Sequence, residues 1–274
     1  MPSLPAIEKD VEEKAKQVGD HGAFDAPSET HHDPAVVDYC QRLGDDALIL
    51  GQRLSEWCGH APALEVDLSL ANIGLDLIGQ GTNFLGLAGD ADHLAFHRDV
   101  LDWKNCLLVE QPNGDFAQTI GRQLLFSTWQ HMLYQQLASS SDERIAAIAA
   151  KGVKEVAYHR ELAADWAIRL GDGTEESARR MAEGLDWCWR FIPELFEVDE
   201  ILAELIGRGI AIDPRDFEDE YRSAIAAVLA EAKLDAPADQ RPILGGRRGH
   251  HSEHLGHLLA VMQFLPRTYP DAQW

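Results

Sequence analysis

The stretch VVDYCQRLGDDALILGQRLSEW, residues 36–57, indicates the fold class, because its apolar residues recur at alternating intervals of four and three. An α-helix has 3.6 residues per turn, so this spacing collects them on one face. The residues of that face are Val36, Cys40, Leu43, Ala47, Leu50, Leu54 and Trp57. The following CGHAP, residues 58–62, predicts that the helix ends, with Gly59 as its C-cap and Pro62 opening the next helix.

A second helix is predicted directly after this turn, because the same spacing repeats. Its predicted core-facing residues are Leu64, Leu68, Ala71, Leu75, Ile78, Thr82 and Leu85. Two long helices joined by a tight turn are expected to be antiparallel neighbours.

Two further long helices are predicted after a longer connection that follows Leu87. The turn QPNG, residues 111–114, precedes Asp115, which is expected to cap a third helix extending to about Ala138. A fourth helix is predicted from residues 140–143 to the glycine-containing segment 171–173. Its predicted inward stripe is Ile145, Ile148, Gly152, Glu155, His159, Leu162 and Trp166. Four long helices in two hairpins predict an all-α protein built on a ferritin-like four-helix bundle.

The rest of the chain divides into two kinds of segment. Additional C-terminal helices are predicted at about residues 175–191, 198–207, 214–233 and 252–265. Residues 1–34 contain four prolines and few large apolar side chains, so we expect a flexible N-terminal extension there. Residues 35–274 are expected to form one ferritin-like helical domain, because the helical seams are long enough to share a single core.

The balance of charge restricts the partners of this chain. Its 274 residues include 24 Lys and Arg against 46 Asp and Glu, which gives a formal net charge of −22. This acidity argues against nucleic acid and anionic membrane surfaces as partners, because both require basic residues to neutralise phosphates. No apolar stretch reaches the ~18 residues of a membrane span.

The cysteines and the N-terminus bear on the cellular compartment. No basic segment followed by an apolar one opens the chain, so no secretory signal is predicted. The four cysteines, Cys40, Cys58, Cys106 and Cys188, form no C-x-x-C pair and lie in apolar helical contexts. Buried free thiols are typical of a reducing compartment, so a cytoplasmic location is expected.

A ferritin-like bundle raises the question of a metal centre. Di-iron proteins of this type place a Glu on each of two helices and a Glu-x-x-His motif on each of the other two. The literal Glu-x-x-His match is Glu29 and His32, in the predicted N-terminal extension. A weaker Asp-x-x-His match, Asp90 and His93, lies in the connection after the second helix. Neither lies mid-bundle, so the ligand set is incomplete and no metal ligand is predicted from these motifs.

Four polar residues remain as candidates for a vestigial ligand layer: Asp46, Asp76, Glu155 and His159. The favoured interpretation is a buried polar network that they form with a Lys or Arg, because an unpaired buried charge is costly. The alternative is an unusual di-iron site on the same four residues, which would make the chain an independent oxidase or hydroxylase. On the third helix, the polar residues in place of an obvious Glu ligand are Gln123, Ser127 and His131.

Four histidines form a second cluster near the C-terminus: His250, His251, His254 and His257. Three of them could share one helix face, so a zinc site is one of two interpretations of this cluster. The favoured interpretation is the beginning of a helix capped by Ser252, with the histidines in surface or interface contacts.

Several motifs are long enough to point to relatives. They are GQRLSEWCGHAPALEVDLSLANIGLDLIGQ at 51–80, LLVEQPNGDFAQTI at 107–120, KGVKEVAYHRE at 151–161, RLGDGTEES at 169–177 and HSEHLGHLLAVMQFL at 251–265. In these motifs the chain closely resembles the PaaC family, the C subunits of phenylacetyl-CoA epoxidase, which is a ring-1,2-phenylacetyl-CoA monooxygenase. The resemblance extends from about Val36 to Trp274 without large gaps, and the N-terminal extension lies outside it.

The resemblance implies a structural, non-catalytic subunit of a multicomponent epoxidase of aerobic phenylacetate catabolism. It implies that the homologous A subunit is the catalytic one and holds the di-iron centre and the CoA thioester, so no catalytic or cofactor-binding residue is predicted in this chain. Electrons would come from NADPH through a reductase subunit with flavin and iron–sulfur groups. The PaaC-type chain would share the fold of the catalytic subunit, pair with it, and join a small B subunit in higher oligomers. At Ser127 the chain departs from relatives in which an acidic residue can stand.

Overall fold

The computed structural model describes residues 33–270 and 272, which form helices and the segments that connect them, with no strand among them. Residues 33–274 form one compact unit. The predicted N-terminal extension falls on residues 1–32, outside the described residues, so its flexibility stays a prediction. The helices are α1 (Pro34–Ser55), α2 (Leu64–Ala88), α3 (Ala91–Phe96), α4 (Leu107–Glu110), α5 (Phe116–Leu137), α6 (Glu143–Gly171), α7 (Glu175–Trp189), α8 (Glu200–Gly207), α9 (Glu218–Glu231), α10 (Glu253–Met262) and α11 (Phe264–Thr268).

Carboxylate caps fix where three of the long helices begin. Asp33 accepts a hydrogen bond from the Ala35 amide at 3.0 Å, and Asp115 accepts one from the Gln118 amide at 2.9 Å. Asp142 caps α6 in the same way. A side-chain oxygen at this position satisfies an amide that the helix itself cannot pair. The predicted cap at Asp115 is therefore confirmed.

Helices α1 and α2 form an antiparallel hairpin in which the two backbones approach closely. A Cβ added to Gly51 would lie 3.0 Å from the carbonyl oxygen of Gly74, and one added to Gly81 would lie 3.1 Å from that of Gly44. These distances leave no room for a side chain without moving the backbone of the partner helix. Glycine on both helices is therefore what permits this packing distance.

The second hairpin, α5 and α6, packs against the first through α2. A Cβ added to Gly152 of α6 would lie 2.8 Å from the ring of Tyr134 on α5. Asp76 of α2 contacts His159 of α6. The four long helices enclose one continuous hydrophobic core. This arrangement of two antiparallel hairpins joined by a long connection is the predicted ferritin-like bundle.

The predicted core stripe of α2 is wrong for most of its length. Leu64, Leu68 and Leu75 are exposed, and so is Thr82, whereas the buried face of the helix lies to one side of them. The buried apolar residues are Val66, Leu70, Ile73, Leu77, Phe84 and Leu85. The spacing could not distinguish the two faces because both are apolar; contact with α1 selects the inner one.

The inward stripe of α6 is also displaced from its predicted position. Gly152, Ile145 and His159 are buried as predicted, but Ile148 and Glu155 are only half-buried. Smaller side chains take the centre of the face, which consists of Ile145, Ala149, Gly152, Val156, His159, Ala163 and Ala167. Small residues allow α5 and α2 to lie close to α6, and the larger apolar side chains cover the edges.

The C-terminal strap, residues 243–252, is held against the bundle by hydrogen bonds to residues far from it in sequence. The Ile243 amide donates to the carbonyl of Arg190, and the amides of Gly245 and Gly246 both donate to one oxygen of Glu194, at 2.8 and 2.7 Å. Its φ of +76° at Gly249 is a conformation that favours glycine. The strap therefore belongs to the folded core, and α10 and α11 follow it.

Candidate functional site

The candidate site lies between α2 and α6, where two of the predicted ligand-layer residues meet. His159 is fully buried, and its Nε2 lies 3.1 Å from Oδ2 of the half-exposed Asp76. One turn away, Gln80 Nε2 donates to Oε2 of Glu155 at 2.8 Å. Asp76, His159 and Glu155 therefore lie within one turn of each other along the α2–α6 contact, but Glu155 pairs with an amide rather than with His159.

Neutral polar groups extend this network into α5. Gln130 Nε2 donates to Gln80 Oε1 at 3.1 Å, and the Tyr134 hydroxyl donates to the same oxygen at 3.3 Å. Burial raises the pKa of Tyr134 far above its ordinary value, so the phenol stays protonated. In this network the Gln130 amide and the Tyr134 hydroxyl both donate to the side-chain oxygen of Gln80. The half-buried Glu155 accepts from the amide nitrogen of Gln80.

Asp46 does not join this group, which separates it from the other three candidates. Its two carboxylate oxygens accept from the guanidinium of Arg247 at 2.9 and 2.7 Å, and one of them also accepts from the Cys106 amide at 2.7 Å. Arg247 also donates to the carbonyl of Lys104 at 3.0 Å. The predicted basic partner therefore exists, but it comes from the C-terminal strap, and Asp46 is the one candidate of the four that it contacts.

Level with His159 and beyond it lie buried side chains whose polar atoms have no hydrogen-bond partner among the described residues. Both amide atoms of Gln123, the Ser127 hydroxyl and Nδ1 of His159 are among these atoms. Tyr134 faces Gly152, so two turns further along the antiparallel helices Ser127 comes level with His159. A di-iron protein would place carboxylate ligands in this part of the bundle.

The four candidate ligand-layer residues do not meet at one point. Among the described residues no group of three or more His, Cys, Asp or Glu side chains could hold a metal ion. Asp46 is engaged by Arg247, and Asp76 and His159 bind each other at the edge of the bundle. The Asp90 and His93 match has a structural role, because Asp90 caps α3 through the His93 amide at 3.0 Å. Glu29 and His32 lie outside the described residues.

The C-terminal histidines do not converge on a common point. The His251 side chain is buried, with Nδ1 2.7 Å from Oε2 of Glu110 and Nε2 2.9 Å from the carbonyl oxygen of Trp103. Burial acts to lower the pKa of His251, but the hydrogen bond and charge of Glu110 outweigh it and raise the pKa. His250 and His257 are exposed. His251 therefore anchors the strap to Glu110.

Several contacts of buried acidic residues are not predicted by the sequence pattern. Asp45, fully buried, pairs with Arg98, which also lies 4.3 Å from the Trp103 ring centroid. Burial raises the pKa of Asp45 against the opposing effect of Arg98. Glu194 also accepts the Leu107 amide at 2.6 Å. Acidic residues inside apolar helical runs were the available signal, but their partners lie far away in sequence.

Comparison with known proteins identifies the relatives of this fold. The family of phenylacetic acid catabolic proteins matches residues 24–274. The chain is 49% identical over 245 residues to the C subunit of 1,2-phenylacetyl-CoA epoxidase from Escherichia coli strain K12, an alignment that covers 87% of this chain and 99% of the relative. In the described part of the chain, no helix is both long and apolar enough to cross a membrane.

Proposed function

Because the chain belongs to the phenylacetic acid catabolic protein family, we propose that it is the structural, non-catalytic PaaC-type member of a multicomponent phenylacetyl-CoA 1,2-epoxidase. In this proposal it pairs with the catalytic A subunit of the enzyme, hereafter the catalytic subunit, which it supports within a heteromeric complex. The name of the Escherichia coli relative supports membership in such a complex, since that protein is one subunit of an epoxidase.

The observation that carries this proposal is the pairing of Asp46 with Arg247 inside the bundle. Both carboxylate oxygens of Asp46 bind the guanidinium, and the pair is almost fully buried. Ligation of a metal by Asp46 would leave a buried guanidinium without its counter-charge, which is strongly destabilising. A bundle with this ion pair suits a supporting role better than an oxygen-activating one.

A supporting bundle has a physical purpose in a di-iron enzyme. Metal ligands must be held within about 0.5 Å of the productive geometry, which requires rigid packing behind the helices that carry them. We assign no cofactor to this chain. In the proposal the catalytic subunit holds the di-iron centre and the CoA thioester, while a reductase subunit supplies electrons from NADPH through flavin and iron–sulfur groups. The reductase and the small B subunit are further proposed partners.

The test is expression of the full chain with and without the catalytic subunit. We expect the chain alone to purify without stoichiometric iron and without O₂-dependent turnover of phenylacetyl-CoA. We expect the two chains together to elute as one complex whose activity depends on both. Two tightly bound irons and turnover by the isolated chain would overturn the proposal and favour the independent oxidase built on Asp46, Asp76, Glu155 and His159. Full activity of the catalytic subunit without this chain would also contradict it.

A further inference from the structure

Apart from the exposed Glu65 in its first turn, the exposed side of α2 forms an uncharged surface that extends to Gly86. We call this surface the α2 outer face. Its large apolar side chains are far from buried, since Leu64 is 71%, Leu68 58% and Leu75 67% exposed. The residues of the α2 outer face are Leu64, Leu68, Asn72, Leu75, Gly79, Thr82 and Gly86.

The charge distribution of α2 is unlike that of a helix that faces water. Charged residues make up 26% of the chain, yet between Asp67 and the end of α2 at Ala88 the helix carries one charge, Asp76. A helix that is apolar all round is buried on all sides in its functional state. Depletion of charge also marks the buried centre of protein–protein interfaces. The α2 outer face therefore has the composition of a covered surface.

Two glycines make the C-terminal half of this face flat. A Cβ added at Gly79 or Gly86 would meet no atom within 4 Å, so neither glycine is required by packing within the chain. Glycine inside a helix costs about 0.5–1 kcal/mol relative to alanine. Within this chain that cost has no compensation, whereas a helix of another protein could approach closely at both positions.

A cleft with two carboxylates and one lysine in its walls lies beside the α2 outer face. It has a volume of about 130 Å³, and its walls include Leu75, Asp76, Gly79, Lys151 and Glu155. One oxygen of Asp76 contacts His159 and one of Glu155 accepts from Gln80, while the second oxygen of each makes no hydrogen bond with the described residues. These free oxygens can receive a cationic side chain of a partner, and Arg is the residue enriched at such positions.

We propose that the α2 outer face docks a helical face of the catalytic subunit, whose basic side chain enters the cleft between Asp76 and Glu155. This proposal rests on the proposed function. A 25-residue helix is about 37 Å long, so α2 alone offers roughly 400 Å² to a partner. A standard interface needs about 800 Å² on each side. The neighbouring outer residues of α6, Ile148 and the 43% exposed Tyr158, continue the surface.

A second copy of this chain is a poor occupant of the same surface. In a two-fold contact each patch meets itself, so the carboxylates of the two clefts would approach each other. Each copy would also add a net charge of −22. Charge complementarity therefore favours a different and more basic partner surface.

The experiment co-expresses the full-length chain with the catalytic subunit, then measures the dissociation constant of the pair. Leu68→Arg and Leu75→Arg place a charge in the centre of the α2 outer face. We expect each to weaken binding by about 100-fold, because a charge buried without a partner is costly at an interface. Val261→Arg is the matched control: Val261 is an apolar residue on α10 that is 82% exposed and lies outside the face. We expect it to leave the dissociation constant unchanged.

The cleft is tested separately with Asp76→Asn and Glu155→Gln. We expect each to weaken binding by about 10-fold and to reduce the dependence of binding on salt, since each removes one charge from the pair with the partner cation. A photo-crosslinking amino acid at position 68 in the otherwise unchanged chain gives a second readout. It should link this chain to the catalytic subunit.

Each outcome supports or overturns one proposal. If the unmodified chain does not bind the catalytic subunit, the proposed function fails. If it binds and the leucine variants bind equally well, the assignment of the α2 outer face fails while the proposed function stands. Loss of binding in Val261→Arg alone would assign the interface to the C-terminal helices instead. A homodimer of the isolated chain that Leu75→Arg dissociates would identify a second copy as the occupant and overturn the inference.

Discussion

Arg247 and Asp46, which lie 201 residues apart in sequence, form a two-pronged ion pair inside the bundle. Only 2% of the Asp46 side chain and 11% of the Arg247 side chain are exposed. The pair connects the C-terminal strap to α1, the first helix of the bundle. Removal of either residue would leave the other as a buried charge without a partner, which would lower the stability of the folded protein.

Arg247→Met should destabilise the protein by about 3–5 kcal/mol, because it leaves the Asp46 carboxylate buried without its counter-charge. Arg248→Met is the matched control. Arg248 forms an exposed ion pair with Glu197, so its loss should cost about 1 kcal/mol or less. Urea unfolding of the two variants measures both values. Equal losses in the two would contradict the structural account of Asp46.

The His251–Glu110 contact should make stability depend on pH. The pKa of His251 is raised in the folded protein, so the imidazole holds its proton more tightly there than in the unfolded chain. Its stabilising contribution is therefore complete below the unfolded value of about 6.5 and is lost as pH rises through the raised folded value.

His251→Gln should remove this contribution. The difference in free energy of unfolding between the unmodified chain and the variant should be larger at about pH 6 than at about pH 9. His250→Gln, at an exposed neighbouring position, is the control and should show no such change. Urea unfolding at both pH values measures the difference. A difference that does not vary with pH would count against the His251–Glu110 pairing.

Gly184→Ala should destabilise the protein by about 1–3 kcal/mol, because the added methyl has no room. A Cβ at Gly184 would lie 2.6 Å from the Cα of Gln118, so α7 and α5 would have to separate. Gly79→Ala should instead stabilise the isolated chain by about 0.5–1 kcal/mol, since nothing lies near its Cβ. Thermal unfolding compares the two. The same direction of change in both would refute the packing described for Gly184.

One thiol should react in the native protein and four in the unfolded one. Cys58 is exposed, whereas Cys40, Cys106 and Cys188 are buried. Burial also raises the pKa of Cys40 and of Cys188 to about 12, which suppresses the reactive thiolate. Ellman's reagent at neutral pH, with and without urea, counts the thiols. A second fast-reacting thiol in the native protein would mean that one of the three buried sites opens.

Ser127→Ala should raise the free energy of unfolding by about 1 kcal/mol, because the buried hydroxyl has no hydrogen-bond partner among the described residues. The adjacent Thr128 provides the comparison. Its buried hydroxyl donates to the carbonyl of Leu124 at 2.7 Å, so Thr128→Val should lower stability by about 1 kcal/mol. Urea unfolding distinguishes the two signs. A large loss in Ser127→Ala would indicate that the hydroxyl is hydrogen-bonded after all.

Local signals in the sequence predicted the positions of the long helices well. Asp115 and Gly171 stand at or beside the ends that the structure has, because caps and glycine-containing ends depend on residues only a few positions apart. The orientation of α2 could not be obtained in this way. Leu68 and Leu70 are both leucines, and only contact with α1 buries the second and exposes the first.

The candidate site was predictable in its parts but not in its connections. Glu155 and His159 were expected together on α6, and Asp76 was recognised on α2. Two contacts depend on how segments far apart in sequence pack against each other. They are the contact of Asp76 with His159 and the ion pair of Asp46 with Arg247. Such pairings follow from tertiary packing, which hydrophobic periodicity does not encode.

The C-terminal strap supplies partners for buried acidic side chains that lie much earlier in the sequence, so we expect the core to close late in synthesis. When α1 to α9 have been synthesised but residues 243–252 have not, the four long helices of the bundle are already available to fold. Three acidic side chains destined for the interior, Asp46, Glu110 and Glu194, then still lack partners that the strap supplies. Burying them at that stage would be costly, so a nascent or prematurely terminated chain should stay open to chaperones and proteases. Once residues 243–252 are available to pair, that cost is removed.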